Sequence, residues 1–180
     1  MAPEGLNALR EASQLSVEIS ELLGKPGSSR RIAFSEEVPG LGLDVGRVRP
    51  LMDFDLRLDS LVEGVLVAGS VRGGYMFECI RCLKPFEQPF EVALSEILAY
   101  EDMPGAEEGY QVVGDHANLE PVIRDAVMLA MPLNPLCRPE CKGLCPVCGT
   151  DLNADDCGHR AERADLRWEP LARLRERFEE

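Results

Sequence analysis

The sequence predicts an α+β protein, mainly an antiparallel β meander or partial barrel with one packed amphipathic helix and a Cys-rich C-terminal segment. Three observations predict it. Apolar and polar residues alternate in several short stretches between residues 15 and 94, which is typical of half-buried strands. One apolar stripe at helical spacing follows near residues 119–131. Potential metal ligands then crowd into residues 136–160.

The first strands are predicted from alternation with a period of two. Leu15, Val17 and Ile19 alternate with polar residues, although the pattern there also permits a helix, and residues 24–27 end the element. A second strand begins at Arg30. Residues 39–50 are rich in Gly and Pro and are expected to form a loop. A third strand follows, in which apolar Phe54, Leu56 and Leu58 are interleaved with charged residues.

The next strands are expected to form a meander. Gly64 to Val71 reads as one strand, Gly73-Gly74 as a turn, and Tyr75 to Cys79 as another strand. The segment Cys79-Ile-Arg-Cys82 is predicted to reverse the chain. A last strand then contains four apolar residues in period, namely Phe86, Phe90, Val92 and Leu94.

One helix and four segments complete the predicted organisation. Residues 101–118 are expected to form an exposed acidic loop, and Asn118 is a candidate cap for a helix near 119–131, which Pro132 would stop. The predicted segments are a weakly structured N-terminus at 1–14, a β-sheet body at 15–135, a zinc-binding segment at 136–160 docked on the body, and an amphipathic helix at 161–180.

Eight side chains are candidate metal ligands, and the types and spacing of these residues point to zinc. The chain has seven cysteines, and no charged segment followed by an apolar run opens it, so we expect a reducing compartment in which clustered thiols bind metal and do not form disulfides. Seven cysteines and one histidine make two four-coordinate sites. The other histidine, His116, is expected to be solvated in the acidic loop. The candidate ligands are Cys79, Cys82, Cys137, Cys141, Cys145, Cys148, Cys157 and His159.

Two pairings of these ligands are compatible with the spacing. The preferred one places Cys79, Cys82, Cys137 and Cys141 around one ion and the remaining four ligands around the other. The alternative groups Cys137 and Cys141 with Cys145 and Cys148, and leaves the other four to form the second site. Each pairing supplies four protein ligands per ion and no open position, so both predict two structural zinc ions and no catalytic site.

Charge limits the class of partner. The net charge of -13 argues against a protein that binds by neutralising many phosphates and suits a basic protein partner better. Residues 1–136 carry a net charge of -11, whereas residues 137–180 carry -2 and include Arg138, Lys142, Arg160, Arg163 and Arg167, which would face RNA if any part does. No apolar run reaches the length of a membrane span, so we expect a cytoplasmic protein without membrane contact.

Three features occur together in this sequence: the Cys-x-x-Cys at a strand turn, the helix running into Met131-Pro-Leu-Asn-Pro-Leu-Cys137, and the stretch Cys141-Lys-Gly-Leu-Cys-Pro-Val-Cys-Gly-Thr-Asp-Leu-Asn153. In this combination the chain resembles the YceD family of large ribosomal RNA subunit accumulation proteins. The stretch at 23–28 is similar to members from high-GC Gram-positive bacteria. The resemblance implies a bacterial or organellar protein needed for accumulation of large-subunit ribosomal RNA, with a basic large-subunit ribosomal protein or precursor ribosomal RNA as partner. Similar proteins often carry Cys at the position of His159.

Three function classes follow. The favoured one is a non-enzymatic, zinc-binding factor in large ribosomal subunit assembly. A metal-dependent RNA-processing hydrolase is the second, because Asp53 and Asp55 lie on one strand face and carboxylates bind hard metals. A zinc-thiolate redox sensor is the third. The sequence leaves the direct partner and the oligomeric state open.

Overall fold

A computed structural model describes residues 15–103 and 109–159. The chain divides into two compact units. Among the described residues, the first comprises 15–79, 84–103 and 109–137, and the second comprises 80–83 and 138–159. The described part is mainly antiparallel β, in two open sheets with one helix, as the sequence predicts. The elements expected within residues 1–14 and 161–180 lie outside the described residues.

The larger sheet belongs to the first unit and has six strands. Strand order is β2-β5-β6-β4-β3, and β7 pairs with the other side of β6. The strands are β2 (Ser29–Glu37), β3 (Gly42–Leu43), β4 (Gly46–Val48), β5 (Leu51–Ser60), β6 (Gly64–Glu78) and β7 (Pro85–Ala99).

The alternation predicted for β5 is confirmed in full. Its buried apolar residues are Met52, Phe54, Leu56 and Leu58, each at most 2% exposed, and they alternate with the charged residues of the other face, Asp53, Asp55, Arg57 and Asp59. Phe54 stacks on Phe34 of β2, with ring centroids 4.8 Å apart. This sheet is therefore apolar on one face and wet on the other, as expected for an antiparallel sheet with one packed face.

The turn predicted at Gly73-Gly74 is wrong, because β6 runs without interruption from Gly64 to Glu78 and pairs with β7 along its whole length. Glycine is required there for packing. A Cβ on Gly73 would lie 2.7 Å from the ring carbon Cζ of Phe90 and 3.1 Å from Met52 Cγ. The absence of a side chain at Gly73 thus leaves room for the Phe90 ring. The sequence alone does not distinguish a glycine that makes room for a ring from a glycine that forms a turn.

Two expected loops contain short strands instead. Residues 39–50 include β3 and β4, which pair with each other, and residues 101–118 include β8 (Val112–Val113) and β9 (His116–Asn118). Strands of two or three residues are too short to show a period, which is why the sequence pattern misses them. His116 lies in β9 and is exposed, with its Nδ1 atom 2.6 Å from Asp115 Oδ1.

A small sheet and the helix α1 complete the first unit. The sheet has the order β1-β9-β8, with β1 at Ser16–Glu18, so the strand reading of this stretch is confirmed. Helix α1 spans Glu120–Leu129, and Asn118 Oδ1 accepts a hydrogen bond from the backbone N–H of Glu120. The N-cap residue is Leu119, which has no side-chain cap bond, so the prediction that Asn118 itself caps the helix is wrong by one residue. Within the described ranges, no helix combines the length and apolarity needed to span a bilayer.

Helix α1 is joined to the larger sheet by a buried hydrogen bond, and its removal gives a first prediction. The hydroxyl of Tyr75 in β6 donates to the backbone oxygen of Val127 at 2.9 Å, near the C-terminal end of the helix, where carbonyls lack intrahelical partners. Burial also raises the pKa of Tyr75. We expect Tyr75→Phe to lower the free energy of unfolding by about 1–2 kcal/mol, because a buried carbonyl loses its donor. Urea unfolding would measure this.

The matched control is Tyr110→Phe. Tyr110 donates to Asp125 Oδ2 at 2.8 Å in an exposed position, where water can replace the lost partner. A loss of stability that is equally large in both variants would contradict the role assigned to the buried bond.

Candidate metal centres

The first cluster consists of Cys79, Cys82, Cys137 and Cys141, whose sulfur atoms all lie within 4.8 Å of one another. Cys79, Cys82 and Cys141 are buried, at 0%, 4% and 2% exposure. Zinc–sulfur bonds of about 2.3 Å would place the sulfurs of a tetrahedral site about 3.8 Å apart, so small side-chain adjustments would bring them onto one ion. The structure therefore gathers two cysteine pairs that are far apart in the sequence into a set that can hold a metal ion.

The second cluster consists of Cys145, Cys148, Cys157 and His159, and its ligand atoms also lie within 4.8 Å of one another. Cys145 is buried, whereas Cys148 and His159 are exposed. The two clusters use all eight candidate ligands, and their membership is that of the preferred pairing. Cys145 and Cys148 do not join Cys137 and Cys141 in one set.

The two Cys-x-x-Cys turns have the same backbone design. In each, the first cysteine's N–H donates to the carbonyl five residues later, from Cys79 to Lys84 at 3.0 Å and from Cys145 to Thr150 at 2.8 Å. The residue after the second cysteine has a positive φ in both turns, 58° at Leu83 and 74° at Gly149. This conformation brings two thiols to the same side of a tight turn. It is the expected one at Gly149 but is uncommon for leucine.

Within the second unit, the turn at Ile80–Leu83 packs against the cysteine-rich segment. The guanidinium of Arg81 donates to the carbonyl of Cys141 at 2.8 Å, and the N–H of Leu144 donates to the carbonyl of Arg81 at 2.9 Å. Gly143 lies between Cys141 and Leu144 in the sequence and has φ of 77°. A Cβ on Gly143 would be 2.8 Å from the Arg81 carbonyl oxygen. The Lys-Gly-Leu-Cys sequence thus needs its glycine for this close approach.

Asn153 supports the first cluster and was not among the residues selected from the sequence. Its Nδ2 atom lies 3.5 Å from the sulfur of Cys141, and its Oδ1 accepts hydrogen bonds from Arg138 and from the backbone N–H of Lys142. A second bond from Nδ2 to Asp151 fixes the amide orientation. An amide N–H directed at a ligand sulfur stabilises the thiolate, as supporting groups around metal ligands commonly do.

The thiols of the second cluster influence each other's ionisation. Thr150, through its hydroxyl and its backbone, lowers the pKa of Cys148 to about 6. The hydroxyl oxygen lies 3.2 Å from the Cys148 sulfur. At Cys157 the backbone of His159 lowers the pKa, but the hydrogen bond with Cys145 and burial outweigh it, and the pKa is raised. Adjacent thiols with opposite shifts share protons, and a bound cation would replace those protons.

The carboxylates Asp53 and Asp55 have other partners. Asp55 forms a two-point ion pair with Arg31, with bonds of 2.9 and 2.8 Å, and the Arg31 guanidinium lowers the pKa of Asp55. Asp53 accepts a hydrogen bond from Ser35 at 2.5 Å. Neither carboxylate belongs to a metal-type cluster among residues 15–103 and 109–159.

These features define a class: a β-sheet protein with two groups of four thiol or imidazole ligands that can hold metal ions without an open position. Comparison with known proteins gives the family. The model described as "Large ribosomal RNA subunit accumulation protein YceD" matches residues 67–175, more than half of the chain. The chain belongs to the YceD family.

The relatives cover most of the chain. An uncharacterized protein of Mycobacterium tuberculosis is 40% identical over 171 residues, which cover 91% of this chain and 82% of the relative. One of Mycobacterium leprae is 36% identical, covering 88% and 76%. The chloroplastic large ribosomal RNA subunit accumulation protein YCED homolog 1 of Arabidopsis thaliana is 27% identical, covering 69% and 46%. No solved structure gives a significant match.

Proposed function

We propose that this protein is a cytoplasmic, non-enzymatic, zinc-binding factor that acts in large ribosomal subunit assembly or in the accumulation of large-subunit ribosomal RNA. The observation that carries the proposal is family membership, since the family is described by that process. The geometry of the two clusters supports the non-enzymatic part. Four protein ligands around each ion leave no position for water or substrate.

Zinc is the proposed metal on the basis of the ligand types. Thiolate and imidazole are the ligands that select zinc over hard cations such as magnesium or calcium. Both turns supply two thiols from a Cys-x-x-Cys segment, which is typical of structural zinc sites. The eight ligands proposed are those of the two clusters, one ion to each.

The proposed partner is a basic large-subunit ribosomal protein, with precursor ribosomal RNA as the alternative. A net charge of -13 favours the protein, because an acidic surface attracts lysine- and arginine-rich chains and repels phosphate. The factor would shield such a partner until it is incorporated into the subunit.

Complementation tests this proposal. Cells depleted of the protein are expected to show a lower ratio of large-subunit to small-subunit ribosomal RNA, restored by the wild-type gene. Cys79→Ser, Cys82→Ser is expected to fail, because the first cluster loses two ligands. An Asp55→Asn variant is the matched control, and full restoration is expected if the pair of carboxylates on this strand does not catalyse. An unchanged ratio on depletion would refute the proposed function, and failure of the carboxylate variant would favour a hydrolase.

A further inference from the structure

The outer edge of β7 exposes backbone hydrogen-bonding groups. Backbone bonds show which groups point outwards: Tyr100 N–H donates to Glu63 towards β6 at 3.0 Å, whereas Ala99 N–H donates outwards to Tyr110 at 2.9 Å. This direction alternates along an antiparallel strand, so the odd-numbered residues of β7 point away from β6. Within the described residues, Ala99 is the position of this edge that has a backbone partner. The outward positions that carry an N–H are Glu87, Glu91, Ala93, Ser95 and Ile97.

The two prolines of β7 agree with this assignment. Pro85 and Pro89 are both odd-numbered, so the N–H that each lacks would have faced outwards and the ladder to β6 loses nothing. They interrupt the first half of the edge. The stretch from Glu91 to Ile97 keeps an alternating set of outward donors and acceptors, which is what an added strand requires.

An open trough of about 710 Å³ lies on the exposed face beside this edge. Its lining combines apolar or side-chain-free residues, Leu51, Gly74 and Pro89, with charged groups. The Arg49–Glu87 ion pair and the Arg72–Glu91 pair, at 2.5 and 4.0 Å, lie on its walls. Asp53 is a third carboxylate in the lining, so carboxylates outnumber guanidinium groups by three to two.

We propose that the outer edge of β7 binds an extended, lysine- or arginine-rich protein segment as an added β-strand, with a cationic side chain of that segment lying in the trough. This deepens the proposed function, and rests on it, by giving the basic partner a site and a mode of binding. The partner's backbone would pair with Glu91, Ala93 and Ser95.

The chemistry of the trough favours a cation over a phosphate or a base. The methylene stem of a lysine or arginine would cover Pro89, while its charged end reaches the carboxylates of Glu87 and Glu91 on β7, and Asp53 on β5 adds a third negative charge further along the trough. The two existing ion pairs do not strongly oppose the binding of a further cation. Their side chains are 54–61% exposed, and exposed pairs of this kind contribute little, so each carboxylate can accept a second cation.

The test uses the full-length, metal-loaded protein and a synthetic peptide of alternating Thr and Lys, about nine residues long, enough to span Pro89–Ile97. Backbone amide NMR is expected to show saturable shifts at Glu91, Ala93 and Ser95. Glu87→Gln, Glu91→Gln should weaken binding about tenfold through the loss of two attractive charges. Ala93→Pro should abolish it, because an outward N–H is replaced by a ring while the bonds to β6 remain.

The controls are an alternating Thr-Glu peptide of equal length and a uridine oligonucleotide, neither of which should bind at the edge. The inference is overturned by a peptide that gives no saturable shifts at millimolar concentration, by binding that the Glu→Gln variant leaves unchanged, or by preferential binding of the oligonucleotide. Protection of the outward amides from hydrogen exchange in the free protein would also overturn it, since another segment would then cover the edge. Each of these results leaves the ribosomal RNA ratio after depletion unaffected, so this inference and the proposed function fail separately.

Discussion

Replacing Cys79 and Cys82 by serine is expected to reduce the zinc bound per chain from two ions to one. The serine hydroxyls cannot replace thiolates as zinc ligands at neutral pH, and the other two cysteines of the first cluster would be left with half a site. Native mass spectrometry of the purified protein measures the stoichiometry directly. The same variant should unfold at lower temperature, because structural zinc contributes about 10–16 kcal/mol in small domains, more than most domains have as net stability.

The complementary variant Cys145→Ser, Cys148→Ser serves as its matched control. It should also retain one ion, now in the first cluster, and combining the four substitutions should leave no bound zinc. One ion in both the wild type and the Cys79, Cys82 variant would show that the C-terminal segment alone holds metal. The assignment of the upstream turn to a metal site would then be wrong.

Substituting Gly69 by alanine is expected to destabilise the larger sheet strongly. Gly69 is paired with Leu56 in the middle of β6 and has φ of 154°, and a Cβ there would lie 2.1 Å from the backbone oxygen of Asp55 and 2.9 Å from the Cα of Leu56. Neither atom belongs to a flexible side chain, so β5 and β6 must separate locally. We expect a loss of about 2–4 kcal/mol in the free energy of unfolding, measured by urea titration.

Gly74→Ala is the control from the same strand. Its added methyl group would meet the side chain of Arg49 at 3.4 Å, an ordinary contact that a flexible side chain can accommodate. Little change is expected there. If both variants unfold at the same urea concentration, the close approach of the two strands at Gly69 is not a constraint on stability.

The sequence predicts those parts of the fold that depend on local patterns. Alternation predicts β5 because every second residue of the strand, including Phe54, Leu56 and Leu58, faces the core. It fails at Gly73-Gly74, where the same residue type serves either a turn or the packing of Phe90, and only the neighbouring strand decides between them. The strands β3, β4, β8 and β9 are defined by their partners and have no pattern of their own.

The candidate metal ligands are found from the sequence because thiols at close spacing are chemically distinctive. Their supporting groups are not. Asn153 and Arg81 are common polar residues, and their proximity to Cys141 arises when the turn at Ile80–Leu83 packs against the segment after Arg138. Amides and guanidinium groups take on such roles through position and not through residue type, which is why a single sequence gives no indication of them.

The spacing of the ligands along the chain has a consequence for the order in which the two sites acquire metal. All four ligands of the second cluster lie between residues 145 and 159, so this site closes only a short loop. In the first cluster Cys82 and Cys137 are more than fifty residues apart, and the intervening chain contains β7 and α1. Closing the longer loop has the larger entropic cost until the intervening elements have folded. The second site should therefore load early in biogenesis, and occupancy of the first should mark a chain whose sheet and helix are already in place.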